Sequence, residues 1–218
     1  MRILKLLISI PLIFGFIFAD DENKQDKPRL VQFVVGAFGG LGFAQGGTEY
    51  YKNNMEVDLL DRKYLNSLAS YGGKVGVDLN FTKNHGMRIY ADLMKIDSIS
   101  TKDPMAKNLA IMSYGLNAEY RYTFNFNLGL FAGAGLAYSN AKSNLINNIS
   151  HVGAALNAGI TYSFAKFLEL ELRGKFVVNE LVNRMAVPAS LLPANQADVG
   201  LYELDYPAVI TLGLNFRF

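Results

Sequence analysis

Val209-Ile-Thr-Leu-Gly-Leu-Asn-Phe-Arg-Phe218 alternates apolar and polar residues up to a terminal aromatic. On a β-strand, Ile210, Leu212, Leu214, Phe216 and Phe218 share one face, while Thr211, Gly213, Asn215 and Arg217 share the other. The same period of two marks seven further stretches: about Leu30 to Ala44, Ala69 to Thr82, Met87 to Ile96, Ile111 to Thr123, Asn127 to Ser139, His151 to Phe164, and Leu168 to Asn179. In the fourth, Met112, Tyr114, Leu116, Ala118, Tyr120 and Tyr122 lie opposite Ser113, Gly115, Asn117, Glu119, Arg121 and Thr123. A helix does not segregate these two sets. With the ending taken as Asp205 to Phe218, the pattern predicts eight strands.

The connections alternate between short and long. Lys83-Asn-His-Gly86, Phe124-Asn-Phe126 and Ala165-Lys166 read as tight turns, whereas Gln45 to Leu68, Asp97 to Ala110, Asn140 to Ser150 and Glu180 to Leu204 read as long loops. Short turns at one end, long loops at the other and an even strand count are the plan of an outer-membrane barrel. The expected fold is therefore an eight-stranded antiparallel up-and-down transmembrane β-barrel spanning residues 30–218.

A soluble barrel has the same period, so the placement of aromatics matters. On the apolar face, Phe33, Phe81, Tyr122, Phe164, Phe216 and Phe218 fall near one rim. Phe43, Tyr71, Tyr114, Tyr138, Phe176 and Tyr206 fall near the other, with aliphatic residues and glycine between. Two aromatic girdles about an aliphatic band suit a face that meets lipid. The opposite face carries Lys74, Asp78, Arg88, Asp92, Glu119, Arg121, Glu169, Glu171, Arg173, Lys175 and Arg217, with small residues such as Gly36, Gly76, Gly115 and Gly159 between them. Six basic groups against five acidic ones predict a polar lumen plugged by paired charges, because an eight-stranded barrel is only wide enough for side chains to fill it and unpaired buried charge is costly.

At the N-terminus, Arg2 and Lys5 precede the uncharged run Leu6 to Phe18, with Ala19 before the acidic stretch from Asp20. This predicts a signal peptide over residues 1–19, cleaved after Ala19, and a short periplasmic leader over 20–29. The run is shorter than the roughly 20 residues that a membrane helix needs. Loss of Arg2 and Lys5 takes the formal charge from +2 to 0, which leaves no basic footprint for nucleic acid. The absence of cysteine excludes disulfides, thiolate metal sites and a cysteine-linked lipid anchor.

The terminal strand resembles the closing strand of bacterial outer-membrane barrels, in which such an ending is the assembly signal. The resemblance implies that Leu214, Phe216 and Phe218 are read by the barrel-assembly machinery. Lys83-Asn-His-Gly-Met-Arg-Ile-Tyr90 and the repeated Leu-Asn-Ala-Glu/Gly pattern at Leu116 to Glu119 and Leu156 to Gly159 resemble small Helicobacter-type outer-membrane proteins. That likeness spans Leu30 to Phe218 and implies an exported protein of a Gram-negative outer membrane with no assigned chemistry. The large external domain of the adhesins in that group has no counterpart here.

The chemistry-bearing residues point away from catalysis. Ser150 and His151 are neighbours on a strand, so their side chains diverge, and a hydrolase with Ser150 or Ser163 as nucleophile lacks a convergent triad. His85 and His151, the two histidines, are too few and too far apart for a metal site. Gly36 to Gly42 and Gly129 to Gly135 have neither the following helix nor the lysine of a phosphate loop. Glu169 and Glu171, followed by Arg173 and Lys175, read as an ion ladder rather than an acid and base pair. No cofactor is implied. The loop 45–68, with Tyr50-Tyr51 and Glu56 to Leu65, has near-helical spacing that predicts a short helix against the rim. The loop 180–204, with Met185, Val187, Pro188, Leu191, Leu192 and Pro193, is apolar enough to fold over the barrel mouth or to meet a partner. The expected role is non-enzymatic: envelope structure, or surface binding and adhesion to a host or envelope partner through these loops, by a monomer. A narrow porin-like channel is the alternative.

Overall fold

The computed structural model describes residues 30–53, 55–98, 108–124, 127–143, 149–179, 185–187 and 199–218. The predicted signal peptide and leader lie outside these residues, as does most of 180–198. The described strands are β1 (Val31–Lys52), β2 (Met55–Asn80), β3 (His85–Ser98), β4 (Ala110–Thr123), β5 (Leu128–Lys142), β6 (Ile149–Ala165), β7 (Leu168–Asn179), the two-residue β8 (Met185–Ala186) and β9 (Val199–Arg217). All ladders are antiparallel. β1 to β7 follow one another in order, β9 pairs with β7, and the β1–β9 ladder closes the sheet into an eight-stranded barrel. Closure gives each barrel strand two neighbours, which satisfies the backbone without help from water.

The seam is fastened at its lower end by reciprocal backbone bonds. The Phe33 N–H donates to the Phe218 carbonyl at 3.1 Å, and the Phe218 N–H donates to the Phe33 carbonyl at 3.0 Å. The turns at this end are tight. The Thr82 hydroxyl accepts the N–H groups of Asn84 and His85, at 3.3 and 3.0 Å. Asn127 turns β4 into β5 with φ at 64°, a left-handed conformation that asparagine tolerates better than most residues. His85, expected in the turn, is the first residue of β3.

Alternation holds along the barrel. Along β4, Ser113, Gly115, Asn117, Glu119 and Arg121 are buried inside, while Tyr114, Leu116, Ala118 and Tyr120 are exposed outside. The outward aromatics sort by height as predicted. Phe33, Phe81, Phe164 and Phe216 are exposed near the lower rim, and Phe43, Tyr71, Tyr114, Tyr138 and Phe176 near the upper. Tyr122 and Phe218 are half-buried, and the side chain of Tyr206 lies outside the described set.

The region 45–68 departs from expectation. It is not a loop with a helix: β1 and β2 continue as a ladder from Ala44↔Leu65 to Lys52↔Met55 and turn at Asn53, whose φ is 50°. At 22 and 26 residues they outrun β3 and β4, with 14 each. β9 rises with them, pairing up to Tyr51↔Val199, so the upper part of the 180–204 loop is also strand. β8 adds to its far side at Met185↔Tyr202 and Ala186↔Leu201. The near-helical spacing of Glu56 to Leu65 lost to pairing, because a strand already in register with its neighbour extends by one ladder bond at a time, whereas a short helix must nucleate alone. Register shifts at Gly42/Ala44 and Phe43/Gln45 mark where the sheet leaves the rim.

Candidate functional site

The lumen is where the strands bring their polar residues together. Register places Asp78 opposite Arg88 and Lys74 opposite Asp92 across β2 and β3. β7 contributes Glu169, Glu171, Arg173 and Lys175 at successive inward positions. Closure then carries β7 across the lumen to β2 and β3. The sequence separation of these partners reaches 97 residues in the pair of Lys74 with Glu171.

In the lowest layer Arg88 holds Asp78 through two bonds, Nε to Oδ1 at 2.6 Å and Nη2 to Oδ2 at 2.9 Å. Arg88 also donates to Glu169 at 3.0 Å and to Glu171 at 3.1 Å. Arg121 donates to Asp78 at 2.5 Å and to Glu169. Arg217 reaches Glu169 at 3.4 Å and donates to the Ser163 hydroxyl at 2.7 Å. One layer up, Lys74 donates to both oxygens of Glu171 at 2.6 Å. Arg173 forks onto Glu119 and donates to Glu171 at 2.8 Å. Above that, Lys175 donates to both oxygens of Asp92, at 3.0 and 2.8 Å. Every charged residue assigned to this face therefore lies in an ion pair. All are buried except Arg217, whose side chain is 16% exposed at the lower mouth.

The network includes residues outside the charge pattern. Tyr90, buried on an inward position of β3, donates to Glu119 at 2.5 Å and accepts from Arg173. Arg173 lies between two rings, 4.9 Å from Tyr90 and 4.7 Å from Phe131, a favourable place for a guanidinium. Asn215 donates to Glu169 and Glu171 at 3.0 Å each, and Asn117 to Asp92 at 3.1 Å. Strand parity is the signal that finds them: each stands at an inward position, although Tyr90 and Phe131 interrupt a polar run. The space is made by glycine. Gly115 faces Asp92 across the β3–β4 ladder, and a Cβ added there would lie 3.0 Å from the Asp92 carboxyl carbon and 3.0 Å from Asn117 Nδ2.

The upper lumen is mainly apolar, with buried Ser70, Ser113 and Ser139 in place of charges, which corrects the expected lumen. Leu68, Met94, Ile96, Leu109, Ile111, Ala137, Ala141, Ala155, Val177 and Val209 form one apolar cluster, with Phe38 packed against it. Val187, from the connection before β9, is 8% exposed and belongs to the same cluster. A residue of the apolar 180–204 stretch thus folds over the mouth. Between plug and network lies a cavity of about 10 Å³, lined by Phe38, Lys74, Tyr90, Asp92, Arg173 and Lys175 among others. That is room for about one water molecule.

The other candidates are dispersed. His85 stacks edge-on to Tyr122, with centroids 5.0 Å apart, and bonds Tyr120 through Nδ1 on the outer surface. Ser163 faces Arg217 inside the barrel. The side chain of His151 lies outside the described set. No group of three histidine, aspartate or glutamate side chains is placed to hold a metal ion among the described residues. At the upper rim, outward-facing Tyr71 and Lys95 both donate to Asp97, at 2.9 and 2.8 Å.

No protein-family model matches the sequence, and no curated protein matches it. Solved structures give matches at low identity. Neisserial surface protein A is 12% identical with a TM-score of 0.47, over 85% of this chain and 97% of that one. Ail, the attachment invasion locus protein of Yersinia pestis, in complex with the heparin analogue sucrose octasulfate, is 12% identical with a TM-score of 0.41, over 87% of this chain and all of that one. The N-terminal β-barrel domain of Pseudomonas aeruginosa OprF is 15% identical with a TM-score of 0.40, over 86% and 97%.

Proposed function

We propose that this chain is an integral outer-membrane barrel of a Gram-negative bacterium, non-enzymatic and closed to ions, whose role is performed by the sheet of β1, β2 and β9 that rises above the rim. The carrying observation is the filled lumen: paired charges below, an apolar plug above, and a hole of about one water between them. A conducting pore needs continuous water, and the paired charges and the apolar cluster in the lumen support the closed reading.

The outward surface supports the membrane. Leu41, Val75, Leu93, Leu116, Leu136, Leu156, Leu172 and Leu212 are all exposed and encircle the barrel between the aromatic rims. A soluble monomer rarely exposes more than a few hundred Å² of contiguous apolar surface. With the tight turns in the periplasm, the raised sheet faces the exterior, where it serves envelope structure or binding to a host or envelope partner. The likeness of residues 83–90 and of the Leu-Asn-Ala pattern to Helicobacter-type small outer-membrane proteins belongs to the same proposal, as do export by residues 1–19 and recognition of Leu214, Phe216 and Phe218 by the assembly machinery.

Gel mobility of the outer-membrane fraction, with and without boiling in detergent, tests the membrane barrel. A compact band that slows on heating is expected, and an unchanged band in the soluble fraction overturns the reading. Single-channel recordings in planar bilayers test the closed lumen. Silence is expected, and steady ion-selective steps would establish the narrow porin instead.

A further inference from the structure

Among the described residues, the raised part of β2 pairs on one side, with β1. Its ladder with β1 runs to Lys52↔Met55, but its ladder with β3 stops at Leu68↔Ser98. From Met55 to Ser67 no described residue pairs with its other side. A strand edge of this length is a template for another strand, and proteins commonly blunt such edges with charge. Here the sequence Glu56-Val-Asp-Leu-Leu-Asp-Arg-Lys63 places acidic residues toward the tip and basic residues toward the rim. This order is self-complementary. When the segment is laid antiparallel against itself about Leu60, Asp58 of each copy stands at the register position of Arg62 in the other, Val57 meets Lys63, and Leu60 meets Leu60. A centre at Leu59 also sets opposite charges across the pair, Glu56 with Arg62, but over a shorter overlap from Met55; about Asp61 or Arg62, like charges meet at the axis. Opposite charges directly across an antiparallel pair stabilise it, and like charges destabilise it.

We infer that the β2 edge is a homotypic docking strand, whose partner is a second copy of this chain in a facing membrane. This rests on the outer-membrane reading above. Symmetry decides the facing membrane: two copies of one antiparallel edge are related by a two-fold axis normal to the sheet. The raised sheet continues the barrel wall, so its normal lies in the membrane plane, and rotation about it turns the second barrel upside down. Two copies in one membrane cannot pair this edge symmetrically. Overlap centred on Leu60 holds the two membranes roughly 40 Å apart, for a strand rise of about 3.4 Å per residue at a tilt of about 40°.

The test uses full-length protein in phosphatidylcholine vesicles, followed by light scattering. The heat-shifted gel band is checked in every sample, so failure of the barrel itself shows there and not in the scattering. Wild-type vesicles are expected to aggregate manyfold above empty ones. Asp58→Arg and Arg62→Asp vesicles, each with like charges across the pair, are expected to fall to the empty level. Mixing the two restores both opposite-charge pairs and is expected to recover aggregation. Inserted wild type that leaves vesicles dispersed, single variants that aggregate like wild type, or a mixture that fails to recover would each overturn the proposal.

Discussion

Arg88 stands directly across the β2–β3 ladder from Asp78, and its guanidinium holds that carboxylate by two bonds of 2.6 and 2.9 Å, both residues being almost wholly buried. The same guanidinium serves Glu169 and Glu171 from the opposite wall. One cation thus ties adjacent strands and, through β7, strands far apart in sequence.

Removing that cation should be severe. Arg88→Met leaves three buried carboxylates short of a partner and is expected to cost about 3–5 kcal/mol, the range for breaking a buried pair from one side. Arg217→Met, at the partly exposed mouth with a 3.4 Å contact to Glu169, is expected to cost about 1 kcal/mol. Urea unfolding in lipid bilayers measures both, and equal losses would show that the network does not hinge on Arg88.

Leu116 and Asn117 test the faces. Leu116 is 62% exposed on the outward surface, whereas Asn117 is buried beside Asp92. Leu116→Arg is expected to destabilise the inserted barrel by about 2–4 kcal/mol. Equilibrium unfolding that finds this change harmless would remove lipid from the outward face.

Glycine positions separate steric need from chance. An added methyl at Gly115 meets the Asp92 carboxylate and Asn117, whereas at Gly39 its nearest neighbour is a backbone oxygen at 3.7 Å. Gly115→Ala is expected to cost about 1–3 kcal/mol by displacing Asp92 from Lys175, and Gly39→Ala to stay within about 0.5 kcal/mol. Comparison of the two by thermal or urea unfolding decides it, and similar effects would argue against a filled lumen.

Deleting Phe218 removes both backbone bonds to Phe33 that fasten the seam. Export is expected to continue while the heat-shifted band in the outer-membrane fraction falls several-fold. Normal amounts of inserted variant would mean that neither the bonds nor the terminal aromatic is required for assembly.

The fold was legible because period two is a local property. The alternation at Ile111 to Thr123 or Leu168 to Asn179 separates faces with no knowledge of neighbours, and the aromatics at Phe33 and Phe43 mark both rims within one strand. The length of β1 and β2 was not legible, since Glu56 to Leu65 suits a helix as readily as a strand until a partner strand is in register beside it.

By itself, then, the sequence determined the strand count, which side chains point inward, and that the inward charges are nearly balanced, because side-chain direction and charge follow from each residue and its immediate neighbours. Only the tertiary structure decided that Lys74 meets Glu171, that Tyr90 and Phe131 bracket Arg173, that an apolar cluster including Val187 fills the upper lumen, and that β2 rises beyond its ladder with β3. Those depend on how far each strand is staggered when the sheet closes, and stagger is fixed by the ladder around the whole barrel rather than by any one strand.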